Sequence, residues 1–383
     1  MIERTIFNEE HELFRRSVRR FVETEVAPNH MKWEDAGVVP KEAWLKAGEA
    51  GVLCCAIPEE YGGMGGNFLH SAIVIEELAR TGSNGPCFPL HSDIVSPYLH
   101  HHGSEELKKK WLPKMATGEV RSAVGMTEPS GGSDLQNIRT SARRDGGDYV
   151  INGQKVFISN AQGADFIIVA CKTDPTARAK GISLILVETD RPGFSRGRRL
   201  EKVGSHAQDL SELFFSNCRV PVTNLVGTEN RGFYHLMQEL AQERLVQAVK
   251  AVASAEAMLN WTIEYTSQRD AFGKKVSDFQ NTQFVLADLC SQILLCRVFV
   301  DRCLALHVEG KLDGPLAAVA KMTSAEMQGR VADACLQLHG GWGYMREMAI
   351  GRAWVDARQA RLAGGSIEIM KLIIAKQIMP KAK

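Results

Sequence analysis

Apolar positions in the first third of the chain recur at helical spacing. Leu13, Phe14, Val18, Phe21, Val22 and Val26 fall on one face of such a helix. Asn8 is placed to cap it, and Glu9 and Glu10 suit its positive first turn. Further helical stretches are read over 41–50, 69–81 and 105–116, and the run YGGMGG at 61–66 reads as a loop. The pattern changes near residue 122 to short β-branched runs at 149–151, 155–159, 166–170, 182–187 and 213–220. Asn152-Gly153 between the first two predicts a hairpin with a tight primed turn. No helical pattern of useful length separates these runs, which favours an antiparallel sheet over a βαβ array. From about Arg231 long helices return, over 232–268, 276–309 and 315–338, as in a bundle. The fold class is therefore α+β, with a helical unit at 1–121, a β unit at 122–231 and a helical bundle at 232–383.

Composition narrows the function classes. The chain has 383 residues, 44% of them hydrophobic and 24% charged, and a net charge of +1, so it lacks the basic excess of a generic nucleic-acid binder. No uninterrupted apolar run reaches the ~18 residues of a membrane span. The most apolar helical stretch, 291–308, carries Arg297, Asp301 and Arg302, so no membrane insertion is expected. The opening MIERTIFNEEHELF resembles neither a secretory signal nor a transit peptide. A cytoplasmic chain is expected, with a processed mitochondrial matrix form as the alternative. Nine cysteines without a C-x-x-C pair suggest buried small hydrophobes in a reducing compartment, not a zinc site.

The common nucleotide and catalytic motifs fail on inspection. Gly63-x-Gly65 is followed by Phe68, and Gly341-x-Gly343 by Arg346, where a dinucleotide fingerprint needs a third glycine. His100, His101 and His102 are consecutive and should diverge on a helix, so no metal site is expected there. The loop MTEPSGGSD at 126–134 combines proline, glycines and oxygen-bearing side chains, and could offer backbone N–H groups to a polar ligand edge. Alone it reads as an ordinary surface turn.

It is not alone. KVFISN at 155–160, QERLV at 242–246, QRDAFGKKV at 268–276, QLHGGWGYM at 337–345 and DARQARLAGGSIEIMKLIIAKQI at 356–378 follow it in order. This series resembles the acyl-CoA dehydrogenase family of flavoproteins over essentially the whole chain. NGPCFPLHS at 84–92 and HGSEELKKKWLPKMATGE at 102–119 resemble the long-chain branch most, with the isovaleryl-CoA dehydrogenase branch as near neighbour. The resemblance implies an N-terminal helical domain, a middle antiparallel β domain and a C-terminal four-helix bundle. It also implies FAD held between the β domain and the bundle, and a homotetramer, a dimer of dimers whose subunits complete each other's sites.

The reaction that the resemblance implies is oxidation of the Cα–Cβ bond of an acyl-CoA to a trans double bond. A carboxylate takes the α proton, hydride passes to flavin N5, and electrons go on to an electron-transfer flavoprotein. Such a site must stabilise enolate-like charge and exclude water. Many members carry the base as glutamate in a Y-E-G-T motif. Here that stretch reads Ala363-Gly364-Gly365-Ser366, with glycine in place of the glutamate. In the long-chain and isovaleryl branches the base lies in an E-R-L motif, which Glu243 of Gln242-Glu243-Arg244-Leu245 matches. On its helix Glu243 lies close in angle to Leu236, Leu240, Met258 and Trp261, an apolar setting that raises a carboxylate's pKa. The ordinary alternative is a glutamate paired to an arginine.

By the same resemblance, the N–H of Gly364 and a flavin ribityl hydroxyl hold the thioester oxygen. Arg244 and Gly365 match positions near the substrate, and Arg244, about 100° away on the helix, should not neutralise Glu243. Met126 and Thr127 match the flavin edge contacts, Phe157 and Ser159 the pair beside the ring, and Ser133 a serine shared by FAD and CoA. Arg269, Phe272 and Gln280 match groups reaching a partner subunit's FAD, where arginine suits pyrophosphate. Gln337, Gly340 and Gly341 match the adenosine-side loop, again across subunits, and Ser366 and Glu368 follow the Gly-Gly turn. The first loop departs from the usual EPGAGSD in carrying Ser130 where glycine is usual. Gly85, Pro86 and Pro89 fall in the long-chain NGPxF stretch, which favours medium- to long-chain or methyl-branched acyl groups. The competing functions are a short branched-chain dehydrogenase, an acyl-CoA oxidase, a flavin monooxygenase, a silent scaffold on this fold, and a flavin-free helical binding module.

Overall fold

The computed structural model describes residues 2–379. α1 (Glu9–Phe21) starts where Asn8 accepts from the His11 N–H and the His11 ring accepts from the Asn8 N–H. A π-helical turn carries its apolar stripe on to Val26. Then come α2 (His30–Ala36), α3 (Lys41–Glu49), α4 (Phe68–Arg80), α5 (Ser96–His102) and α6 (Glu105–Ala116). α4 is buried on nearly every face, so it is a core helix.

The β unit holds β1 (Ser122–Gly125), β2 (Ser141–Asp145), β3 (Asp148–Ser159), β4 (Phe166–Lys172), β5 (Ile182–Glu188), β6 (Phe194–Arg199), β7 (Leu210–Pro221) and β8 (Leu225–Val226). The strand order is β6-β7-β3-β2-β4-β5-β8, with β1 on β4. The sheet is mixed and not wholly antiparallel: β1 and β2 run parallel to β4. Parallel neighbours need a long crossover, and the 126–134 loop with the β2–β3 hairpin supplies one between β1 and β4.

The hairpin expected at Asn152-Gly153 is not there. Residues 148–159 form one strand, and the turn is Gly146-Gly147, between β2 and β3. Asn152 bonds through its side chain to Asn217 of β7, and the β3–β7 register slips between Ile151 and Gly153. Gly153 (φ +144°) lies where a Cβ would come within 2.6 Å of Thr140. Asn-Gly here marks a bulge with close backbone approach, another use of the same pair.

The bundle comprises α7 (Gly232–Gln268), α8 (Gln280–Val308), α9 (Gly314–Leu338), α10 (Ala349–Ala357) and α11 (Ile367–Ile378). A two-strand clip, β9 (Asp270–Ala271) and β10 (Lys274–Lys275), joins α7 to α8. One apolar core runs through α4, α7, α8 and α9, so the first and last units share it. By length and composition α8 could cross a membrane. Its Arg297 is instead buried in ion pairs with Glu76 and Glu256 inside this core. Six cysteines, at 54, 55, 171, 218, 303 and 335, are buried and unbridged, and burial raises their thiol pKa values.

Candidate active site

α7 carries Glu243 on a stripe with buried Leu236 and Met258. The carboxylate reaches a cleft of about 210 Å³ between α7, the segment 84–95 and the ends of β1 and β3. Burial pushes the Glu243 pKa up to about 7, and Glu239 one turn earlier adds to the effect. The Tyr98 hydroxyl, donating to Oε1 at 2.7 Å, and Arg244 oppose it. No ion pair forms to Glu243 among the described residues. Arg244 is also buried, but its guanidinium turns to the Gly314 carbonyl at 3.4 Å. Glu239 behaves oppositely. Burial works against its charge, yet hydrogen bonds from His101 and His102, both 2.9 Å, bring its pKa down to about 2. Adjacent histidines expected to diverge thus converge on one carboxylate.

The Gly364-Gly365 turn borders the cleft with φ of +66° and +93°, conformations that side chains rarely adopt. It is held from behind, since the buried Lys321 Nζ donates to the Gly365 carbonyl at 2.5 Å. Burial, with Arg244 nearby, lowers the Lys321 pKa to about 8.

The opposite wall comes from the two motifs MTEPSGGSD and KVFISN, which one buried ion pair joins. Lys155 Nζ donates to Glu128 Oε1 at 2.8 Å and to the Met126 carbonyl at 3.1 Å. The Val156 N–H donates to the Thr127 carbonyl at 3.0 Å. Glu128 also accepts from the Arg139 and Thr140 N–H groups. Met126 and Thr127 are thereby fixed beside β3. A second register slip, between Lys155 and Ile158, puts Phe157 at φ +59°. A lone strand phenylalanine would be a core residue, but Phe157 is 61% exposed. Phe157 is thus a non-glycine residue held at positive φ while it lines the cleft, a costly placement that its surroundings must enforce. Ser159 follows on the same wall, its hydroxyl accepting from Gln208 at 2.9 Å. An aromatic face, a hydroxyl and two adjacent main-chain units fit a flat ring with polar edges.

The cleft gathers Glu243, Gly364, Met126, Thr127, Phe157, Ser159 and Pro86. Gly85 lies outside it. Its N–H donates to His30, and a Cβ would strike Ala207 at 2.4 Å, so its smallness serves packing between helical and β units. Ser133 is exposed on its loop and lines no part of the cleft. Ser130 keeps a negative φ and donates to Glu128, so the extra side chain is accommodated without strain. Arg269, Gln337, Gly340 and Gly341 line a second groove, away from the first, beside the stacked rings of Tyr265 and His339. Phe272 is 98% exposed and Gln280 is exposed, and neither lines that groove. Ser366 caps α11, and Glu368 lies exposed in its first turn. Sequence reasoning missed Tyr98, Lys321 and the Lys155–Glu128 pair. A lysine inside the apolar run PLAAVAKM was a usable signal for the second.

Family models match three stretches of the chain. They are acyl-CoA dehydrogenase, N-terminal domain, over residues 8–119, middle domain over 123–218 and C-terminal domain over 230–379. The long-chain specific acyl-CoA dehydrogenase, mitochondrial, of Sus scrofa is 50% identical over 378 residues, covering 98% of this chain and 88% of the relative. The isovaleryl-CoA dehydrogenase, mitochondrial, of Oryza sativa subsp. japonica is 35% identical over 376 residues, covering 97% and 92%. The crystal structure of an acyl-CoA dehydrogenase from Geobacillus kaustophilus superposes with a TM-score of 0.97 at 49% identity, covering 99% of this chain and 100% of that one.

Proposed function

The chain belongs to the acyl-CoA dehydrogenase family of FAD-dependent oxidoreductases acting on CH–CH bonds, and on that premise we propose that it desaturates medium- to long-chain or methyl-branched acyl-CoA with Glu243 as base. FAD, when bound, supplies the hydride acceptor. Phe157, Ser159, Met126 and Thr127 would hold its ring, and Arg269, Gln337, Gly340 and Gly341 would serve the FAD of a neighbouring subunit. That second groove, separate from the cleft, supports a homo-oligomer, in this reading the tetramer that the family resemblance implies.

Glu243 accepts the α proton. A base acts best when its pKa lies near working pH, and burial sets Glu243 at about 7. The Gly364 N–H polarises the thioester carbonyl from a turn anchored by Lys321. Ile75, Leu78, Leu90 and Ile94 give the cleft an apolar end for the acyl chain. Each methylene contributes ~0.8 kcal/mol there, so preference between neighbouring lengths is shallow. The long-chain assignment draws on this lining and on the name of the 50%-identical relative. An electron-transfer flavoprotein is the electron acceptor in this reading, and the cytoplasm its compartment.

The observation that carries the reading is a buried glutamate, unpaired to any cation among the described residues, across one cleft from an exposed aromatic at positive φ. The test is anaerobic titration of the FAD holoenzyme with acyl-CoAs of several lengths and isovaleryl-CoA. Wild type should bleach the flavin band, with an acid limb near pH 7 in the reductive rate. Glu243→Gln should reduce flavin about 10²–10⁴-fold more slowly. Bleaching by Glu243→Gln at the wild-type rate would remove Glu243 as base.

A further inference from the structure

Glu243 is approached from one side by a group outside the matched motifs. Tyr98 lies on α5, in the turn after the π-helical segment Leu90–Val95, and is fully buried. Its hydroxyl has one hydrogen-bond partner among the described residues, Glu243 Oε1 at 2.7 Å. A buried tyrosine hydroxyl needs a partner, and here it has taken the carboxylate. Burial, with Glu243 alongside, raises the Tyr98 pKa, so the phenol stays protonated and can only donate. Oε2 has no hydrogen bond among the described residues, yet it is not a sealed polar atom, so it opens toward the cleft that Glu243 lines.

We propose that Tyr98 is a positioning residue for the base: its hydroxyl clamps Oε1, fixing the carboxylate so that Oε2 alone faces the substrate's α carbon. This rests on Glu243 being the base. Without the clamp, rotation about the last side-chain bond would present either oxygen, and the ionised form would lose the one donor it has among the described residues.

The surroundings supply no substitute. On α7, Glu239 is held by His101 and His102, with the His235 ring tilted against His102. Arg244 turns to Gly314. Gln242 donates to the Asp93 carbonyl and contacts His307. Asp93 is itself a buried carboxyl, raised by burial to about 7. Lys250 lines the cleft, and Lys321 lies behind Gly365.

The test is Tyr98→Phe, which keeps ring and volume. Two readouts are taken. One is the pH profile of flavin reduction in the holoenzyme. The other is infrared titration of the carboxyl band that Glu243→Gln removes, which reports the base without turnover. Losing a donor to the charged form should move both midpoints up together by about one pH unit, with the plateau rate about tenfold lower. A slower enzyme whose infrared midpoint stays put would make Tyr98 merely structural and overturn the proposal, as would an unchanged profile. Should the Phe variant not fold, Glu243→Asp withdraws the carboxylate from Tyr98 by one methylene. The carboxyl midpoint should then rise too, and an unmoved midpoint would overturn the clamp. Turnover at the wild-type rate in Glu243→Gln would sink the base assignment instead, a separate result.

Discussion

Two buried glutamates on packed helices have opposite electrostatics. Glu76 on α4 is ringed by arginines: Arg4 at 2.8 Å, Arg15 at 2.7 Å and Arg297 at 2.8 Å. Burial opposes its charge, but the three guanidiniums prevail and bring its pKa down to about 2. Glu243 on α7 is as deeply placed and has one neutral donor among the described residues, and its pKa rises to about 7. Burial is common to both, so it does not decide protonation. Partner charge does. The Glu76 knot joins the first residues, α4 and α8, and serves the fold. The Glu243 site leaves a carboxylate poised to change protonation state, which a base must do.

The largest expected effect comes from breaking the knot. Arg297→Met strips Glu76 and Glu256 of a buried partner at once. Removing one member of a buried ion pair costs about 3–5 kcal/mol, because the remaining charge stays desolvated. Denaturant unfolding at pH 7 should show that loss, and flavin spectra of the surviving holoenzyme should be unchanged. The pH dependence has a definite sign. With its folded pKa depressed, Glu76 stabilises fully above its ordinary 4.5, and the contribution fades as pH falls toward 2. A variant with wild-type stability at neutral pH would show that the arginines are interchangeable with water.

The contrast between these glutamates was half legible in the sequence. Glu243 stood out because Gly364 replaced the alternative base and because its helical neighbours were apolar. Its long helices and short β-branched strands announced themselves by periodicity. Nothing local joined Arg4 to Glu76 or Tyr98 to Glu243, since those contacts close 72 and 145 residues of intervening chain. The Asn152-Gly153 misreading has the same origin: the pair's side-chain bonds go to Asn217, and a distant strand turned a hairpin signal into a bulge. The NGPxF stretch carries no sign of what surrounds Gly85, because its neighbours His30 and Ala207 come from elsewhere in the chain. The loop 126–134 was legible only as a motif. Its rigidity comes from Lys155 on β3, whose position in KVFISN carried no sign of an ion pair.

A second prediction inverts the first. With its folded pKa raised, Glu243 lets the folded state bind its proton more tightly than the unfolded chain does. Stability from this group is then full below its ordinary 4.5 and is lost as pH rises toward 7. Glu243→Gln removes that loss while keeping an acceptor for Tyr98. It should therefore stabilise the protein at pH 8, by up to about 3 kcal/mol on the scale of 1.36 kcal/mol per pKa unit, while slowing the proposed reaction about 10²–10⁴-fold. At pH 4 the two proteins should unfold alike. A Gln variant less stable than wild type at pH 8 would mean that Glu243 is held by a cation after all.

The smallest expected change tests whether a single cation can convert one site into the other. Gln247 lies one turn beyond Glu243 on α7, lines the cleft and is not fully buried. Gln247→Lys would bring an ammonium within reach of the free carboxylate face without touching Tyr98. At an effective dielectric near 20 a charge about 6 Å away is worth up to ~3 kcal/mol, and exposure to the cleft trims this to about one pH unit. The acid limb of flavin reduction should therefore move down by about one unit, toward the behaviour of Glu76. The plateau rate should fall about threefold to tenfold, because a less basic carboxylate is a poorer proton acceptor. Arginine at the same position should shift the limb in the same direction, whereas Gln247→Met should leave it in place. If lysine, arginine and methionine all slowed the reaction with an unmoved limb, bulk beside the Gly364 turn would be the cause. The difference between the two glutamates would then need more than the charge of the nearest partner to explain it.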